Sequence, residues 1–304
     1  MFKNFVYNKT FKMISLLMIL AIILTFPTST KYELNSNEKS IKNNVEVYLL
    51  NNNNYIAKTN LTLNNYGKIE NIIELLIIEG KYSDLIPNKY KAILPSETKI
   101  LDIEEKEDIL IINFNNKFLE SSSENVEKYI SLIVHNCLNN TNFNKLYIEV
   151  ESKLLTNHNN TIFEQPFTKS YPVNMINKSK DYKNIKRTEV FFYSKNDDMV
   201  PITILNNSNK KKLDIIIDEL SNSNYKDLYS YMNYNVNLID SKIENEDMLL
   251  FFDDSIYDNN VNKVVLKPVY DLLEASINSN FPVKNIKIYV NNKEIKKSDI
   301  KNVE

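Results

Sequence analysis

One order of short segments is written twice along 304 residues, which commits the chain to two copies of one small unit. Glu46-Val47-Tyr48-Leu49-Leu50 returns as Glu189-Val190-Phe191-Phe192-Tyr193, and Tyr82-Ser83-Asp84-Leu85 as Tyr225-Lys226-Asp227-Leu228. Glu107-Asp108-Ile109-Leu110 then returns as Glu246-Asp247-Met248-Leu249, and Leu146-Tyr147-Ile148-Glu149-Val150 as Ile286-Lys287-Ile288-Tyr289-Val290. The spacing drops between the second and third pairs, so the second copy is shorter in its middle.

Periodicity supplies the elements of one unit. Residues 45–50 are a β-rich run, and 55–63 a second extended run after a polar Asn turn. Between 68 and 79, Ile69, Ile72, Ile73, Leu76 and Ile77 fall at helical spacing. A loop with Pro87 and Pro95 follows. Residues 99–103 and 109–114 make a hairpin across the charged turn 104–108. Ser123 is the expected N-cap of a second amphipathic helix through Val126, Tyr129, Ile130, Ile133, Val134 and Cys137. Residues 146–150 alternate as a half-buried strand.

The unit reads ββ-αββαβ, and its fold class is α/β of the α+β type. Two tandem small domains are expected, each a mixed or antiparallel sheet with two helices on one face. In the second copy the equivalents are 189–193, 199–205, 210–220, 236–242, 248–252, 263–277 and 286–290. The expected division is 45–155 and 187–298, with a polar joining stretch at 156–186 and a tail at 299–304.

The first 27 residues read as a signal. Lys3, Lys9 and Lys12 precede an apolar run from 13 to 26 broken only by Ser15 and Thr25. Fourteen helical residues span roughly 21 Å, short of the roughly 30 Å hydrocarbon core. The segment is read as an uncleaved signal anchor or a cleaved signal, followed by a polar stalk at 28–44. Either way the rest of the chain is exported, on the outer face of the cytoplasmic membrane or secreted.

Composition excludes several chemistries. The two glycines, Gly67 and Gly80, are too few to write a P-loop, a dinucleotide fingerprint or a G-x-S-x-G elbow. One cysteine, Cys137, permits no intrachain disulfide and no cysteine-rich zinc site. A net charge of −2 argues against nucleic acid as a partner. No cofactor is expected. His135 and Cys137 are two apart on one helix and do not share a face. Cys137 belongs to the apolar stripe, and His158 falls in the joining stretch. No catalytic set follows, and the chain is read as non-enzymatic. Asp253, Asp254 and Asp258 are the one candidate metal set, three carboxylates in six positions suited to a hard cation such as Ca²⁺, against the plainer reading of a solvated turn. The 19 Tyr and 14 Phe fall mostly on strands, as at Phe191-Phe192 and Phe251-Phe252. Core packing is the plain reading, and an exposed subset would suit a glycan or a partner's sheet edge.

The order of segments resembles the GerMN domain family. Residues 46–50, 75–80, Leu94-Pro95-Ser96-Glu97-Thr98, 111–118 and 146–153 match its opening strand, leucine-rich helix end, P-x-gT segment, strand end and closing strand. The resemblance covers about 45–155 and 187–296. Gly80-Lys81 stands where the family has Gly-Pro, and the P-x-gT segment is missing near 233–236. The tandem member of the family is usually a lipoprotein, but no cysteine follows the apolar run here, and a hydrophobic anchor would replace the lipid. The αββαβ portion is also similar to ring-building motifs of envelope secretion machines. The resemblance implies an envelope scaffold in sporulation or germination, binding partner proteins of a membrane-associated, channel-like complex. A peptidoglycan- or glycan-binding module is the alternative.

Overall fold

The computed structural model describes residues 42–64, 69–181, 183–258 and 263–302. The expected signal at 1–27 and most of the stalk lie outside them. Lys42–Glu304 form one compact unit that holds both copies.

The first copy runs β1 (Lys42–Asn51), β2 (Ile56–Asn64), α1 (Ile69–Glu74), β3 (Tyr90–Lys91), β4 (Ile100–Lys106), β5 (Ile109–Phe114), α2 (Ser123–Asn139), β6 (Lys145–Val150) and β7 (Lys153–Leu154). Three short strands follow: β8 (Asn157–His158), β9 (Thr161–Ile162) and β10 (Ile176–Asn177). The second copy repeats the order as β11 (Lys186–Ser194), β12 (Met199–Asn206), α3 (Lys212–Asn222), β13 (Leu228–Tyr229), β14 (Leu238–Glu244), β15 (Asp247–Phe252), α4 (Lys267–Asn280), β16 (Asn285–Val290) and β17 (Lys293–Glu294).

Each copy has its own four-stranded mixed sheet, β4-β5-β6-β7 and β14-β15-β16-β17. The central pairs β5/β6 and β15/β16 are parallel and the outer pairs antiparallel. A parallel pair needs a crossover, and α2 and α4 supply it. Residues 129–138 of α2 are all buried. A helix buried all round is packed on both sides; α2 lies against β6 and against β1. Ile130, Leu132, Ile133 and Leu138 each contribute about 1.5–3 kcal/mol by burial.

The opening hairpins behave differently. The β1–β2 hairpin and the β11–β12 hairpin join into one seven-stranded sheet, ordered β13-β11-β12-β2-β1-β3 with β10 beside β12. Periodicity placed each hairpin in its own copy and could not show this union. The seam is brief: β2 and β12 pair only at Met199 and Lys58. Pro201 has no N–H to extend the ladder. Asn174 of the joining stretch takes over there. Its Oδ1 accepts from the Ile56 amide at 2.9 Å, and its Nδ2 donates at 2.8 Å to the carbonyls of both Ile56 and Pro201.

Four local expectations need correction. The helix predicted over 68–79 closes at Glu74. The Leu76 carbonyl is taken by the Ile93 and Leu94 amides, and Ile77 bridges Leu94, so this stretch is drawn off the helix. Gly80 is needed just after it, because a Cβ there would stand 2.8 Å from the Glu74 carbonyl oxygen. The cap of α2 is Ser122, not Ser123; its hydroxyl accepts from the Asn125 amide. The helix expected from 263 starts at Lys267, with Pro268 in its first turn, where a missing N–H costs nothing.

The joining stretch is the fourth. It reads as polar and aperiodic, yet Leu155, Phe163, Phe167 and Val173 are buried. Phe167 exchanges two 2.8 Å backbone bonds with Leu146, and the Gln165 amide bonds both polar groups of Ile148. Four apolar residues at irregular spacing carry no period, so the packing is invisible to a window.

Candidate binding surfaces

The two crossover helices end on the two hairpins in the same way. Asn136 of α2 accepts from the Tyr48 amide at 2.9 Å and donates to the Tyr48 carbonyl at 2.8 Å. Asn140 donates to the Glu46 carbonyl at 3.0 Å. In the second copy Ser276 accepts from the Phe191 amide at 2.9 Å, and Asn280 bonds both polar groups of Glu189. Short polar side chains at the last turns thus satisfy a strand edge that no strand covers.

Between these two helix ends lies a cleft of about 690 Å³. Lys58 of β2, Lys169 of the joining stretch, Arg187 of β11 and Lys212 of α3 line it, with Glu189 as the lining carboxylate. Two of the cations are engaged. Lys58 pairs with Glu46 at 2.8 Å, and Arg187 pairs with Glu189 at 3.0 Å. Arg187, the only arginine of the chain, also donates to the Tyr171 carbonyl at 3.3 Å, and its Nη1 finds no protein acceptor. Burial lowers the guanidinium's pKa, opposed by Glu189. Among the described residues, Lys169 and Lys212 have no ion-pair partner.

His135 closes the floor of the cleft. Its Nε2 lies 2.9 Å from the Tyr171 carbonyl and its ring packs on Tyr48 with centroids 5.2 Å apart. Burial pushes the imidazole's pKa down, against the Tyr171 hydrogen bond and the Glu189 charge. Cys137 is fully buried, and burial alone pushes its thiol up to about 12. His158 is elsewhere, 3.0 Å from the Ser121 carbonyl. The structure therefore brings neither histidine to the thiol.

The second surface is a pair of open edges. β4 and β14 each end their four-stranded sheet. Leu101 on β4 and Ile239 and Ile243 on β14 are exposed.

Three comparisons place this arrangement. The fold matches a solved structure, the tandem GerMN domains of the sporulation protein GerM from Bacillus subtilis, with a TM-score of 0.74 at 20% identity, over 86% of this chain and 94% of that one. The spore germination protein GerM of Bacillus subtilis (strain 168) is 23% identical over 262 residues, covering 82% of this chain and 71% of the relative. The Germane family model, described as "Sporulation and spore germination", matches residues 26–156. The family model thus covers the first copy, and the fold of the two copies together is that of tandem GerMN domains. The fold class expected from the repeat, two tandem small α/β domains of α+β type with a mixed sheet and helices in each, is the one observed.

Within this GerMN pair the candidate metal residues are dispersed to structural tasks. Asp253 accepts from the Ser255 amide at 2.9 Å and from Asn237 at 2.8 Å, capping a short 3-10 turn. Asp254 pairs with Lys263 at 3.0 Å and accepts from Asn291 at 2.7 Å. The Asp258 amide donates to the Val264 carbonyl. Among the described residues, no group of three or more His, Cys, Asp or Glu side chains is placed to hold a metal ion.

The aromatics divide. Phe191, Phe192 and Phe252 are buried, while Phe251 stacks on Tyr289 at 4.9 Å on the half-open sheet face. Tyr229 at the end of β13 and Tyr231 and Tyr234 just after it, which sequence reasoning did not single out, are exposed in the second copy. Their crowding into six positions, where the family's P-x-gT segment is missing, was the available signal. Among the described residues no helix is long and apolar enough to cross a membrane.

Proposed function

We propose that this protein is a non-enzymatic envelope adaptor of sporulation or spore germination, binding partner proteins of a membrane-associated, channel-like complex. The carrying observation is the pair of seven-residue strands β4 and β14, which end their four-stranded sheets, whereas the opposite end strands β7 and β17 have two residues each. An open edge presents a row of backbone donors and acceptors to an added strand, and exposed Leu101, Ile239 and Ile243 give side-chain grip beside it. The names of the matched relatives, a spore germination protein and a sporulation protein, supply the process. The protein is exported and held at the outer face of the membrane by the apolar segment 13–26, or released by its cleavage. A deletion strain should form spores or germinate poorly, and a tagged full-length protein should recover envelope partners. Normal spore formation and germination in that strain would sink the reading.

The exposed tyrosines favour a second reading, a peptidoglycan- or glycan-binding module. Tyr229, Tyr231 and Tyr234 are exposed within six positions, with Tyr231 packed edge-on against Tyr193, and exposed aromatic rings suit sugar rings. This reading requires the purified protein to sediment with sacculi without other proteins, and loss of sedimentation in a triple Tyr→Ala variant.

A further inference from the structure

We infer that the cleft between the two copies receives the β4–β5 hairpin of a second copy of this chain. The proposal goes beyond the adaptor role and stands on charge that is left unmatched within one molecule.

The cleft holds cations in excess. Lys58 and Arg187 are matched by Glu46 and Glu189, whereas Lys169 and Lys212 have no ion-pair partner among the described residues. A net excess of positive charge in a concave, partly desolvated place attracts an anionic group more strongly than the same charge on a flat surface. The walls cannot take a peptide by strand addition. The Tyr48 amide and carbonyl are held by Asn136, the Phe191 amide by Ser276 and the Glu189 amide by Asn280. Recognition must come from side chains, and among the lining cations of the described residues Lys169 and Lys212 are those without an ion-pair partner. The carboxylate of Glu189 argues against a dense polyanion and tolerates a peptide turn with spaced acids. A volume of about 690 Å³ is in the range that buries a compact ligand, the bulk of a short turn.

The complementary charge is on the same chain. From Asp102 to Asp108 the first hairpin carries Asp102, Glu104, Glu105, Glu107 and Asp108 against Lys106. Glu104 is matched by Lys106 and Asp108 by Lys145. Asp102, Glu105 and Glu107 have no ion-pair partner among the described residues, and Glu105 and Glu107 are exposed. The second hairpin is different. Glu244 pairs with Lys242, Glu246 with Lys284 and Asp247 with Lys287. Asp240 on β14 has no ion-pair partner among the described residues, as Asp102 on β4 has none, so the difference lies in the turns: that of β4–β5 carries the unmatched Glu105 and Glu107, while the acids of the β14–β15 turn are matched, and the cleft supplies the unmatched base. A hairpin-to-cleft contact uses two different patches, so it is head-to-tail and propagates into rings or filaments rather than closing a twofold dimer.

Charge reversal tests this on the full chain in mild detergent, by sedimentation velocity over a range of concentration and salt. The wild type should self-associate, and more weakly as salt rises. The exposed double variants K169E/K212E and E105K/E107K should each lose association at least tenfold, while a distant control, K153E/K293E, should not. An equimolar mixture of the first two variants should regain it, because each then offers a hairpin that suits the other's cleft. A wild type that stays monomeric would overturn the proposal, as would association indifferent to either reversal or two silent variants that fail to rescue one another. Addition of an acidic peptide that binds the cleft while the wild type remains monomeric would assign the cleft to another protein instead. Partner recovery by the tagged full-length protein is scored separately, so loss of self-association with partner capture intact removes this inference and leaves the adaptor reading standing.

Discussion

Asn174 occupies the place of a missing strand beside Ile56. Its side-chain amide accepts from the Ile56 N–H at 2.9 Å and donates to the Ile56 carbonyl at 2.8 Å, across 118 positions of sequence. The same Nδ2 reaches Pro201, so one side chain stitches the first copy to the second. Substitution N174A should destabilise the protein by about 2 kcal/mol, from three modest hydrogen bonds lost and partly replaced by water. Urea unfolding monitored by far-UV circular dichroism measures it. A loss below about 0.5 kcal/mol would mean the seam does not depend on this residue.

The copies are pinned a second time at Asp198. This carboxylate, 3% exposed, accepts from the Tyr90 hydroxyl and from Lys89 at 2.6 Å, both in the first copy. Burial and the Asp198 carboxylate raise the Tyr90 pKa, keeping the phenol protonated as donor. With both pins in place the two copies should unfold in one calorimetric transition. D198A should cost about 2–3 kcal/mol, because the Tyr90 hydroxyl is left buried without its acceptor. Two resolved transitions in the wild type would refute the coupling.

His135 sets a pH dependence. Burial lowers its pKa below 6.5, so the unfolded chain binds the proton more readily than the folded one. Stability from this group is complete above pH 6.5 and falls as the pH drops below it, with a slope of at most about 1.4 kcal/mol per pH unit. H135Q keeps a donor for the Tyr171 carbonyl and removes the titration. The difference in unfolding free energy between wild type and H135Q should therefore change between pH 7 and pH 5. A constant difference would show that His135 is not held neutral.

Cys137 gives a simple contrast. A thiol with no exposure and a pKa raised to about 12 forms almost no thiolate at neutral pH. Native protein should react with a maleimide only at the rate of unfolding, and one equivalent should be titrated at once in denaturant. Rapid labelling of the native state would place the thiol in a reactive setting.

The order of elements was legible because the relevant signals are local. Ile130 and Ile133 recur at helical spacing, and Leu110, Ile112 and Phe114 alternate on β5. The buried role of Cys137 followed from the same stripe. The length of α1 was not legible, because Ile77 satisfies a helical period yet is captured by Leu94 from a later loop. The candidate carboxylates Asp253, Asp254 and Asp258 are close in sequence, but proximity along a chain does not aim side chains at one point.

By itself the sequence determined that two copies of one α/β unit exist, in what order their strands and helices come, and which faces of them are apolar. Those properties rest on repeats and periods within a few residues of each other. Only the tertiary structure decided that the hairpins merge into one sheet, that Asn174 and Asp198 lock the copies, and that a basic cleft opens between helix ends Asn139 and Asn280. These depend on single side chains meeting backbone groups far along the chain. Such contacts leave no period, and the free energy that selects them appears only when both partners are already in place.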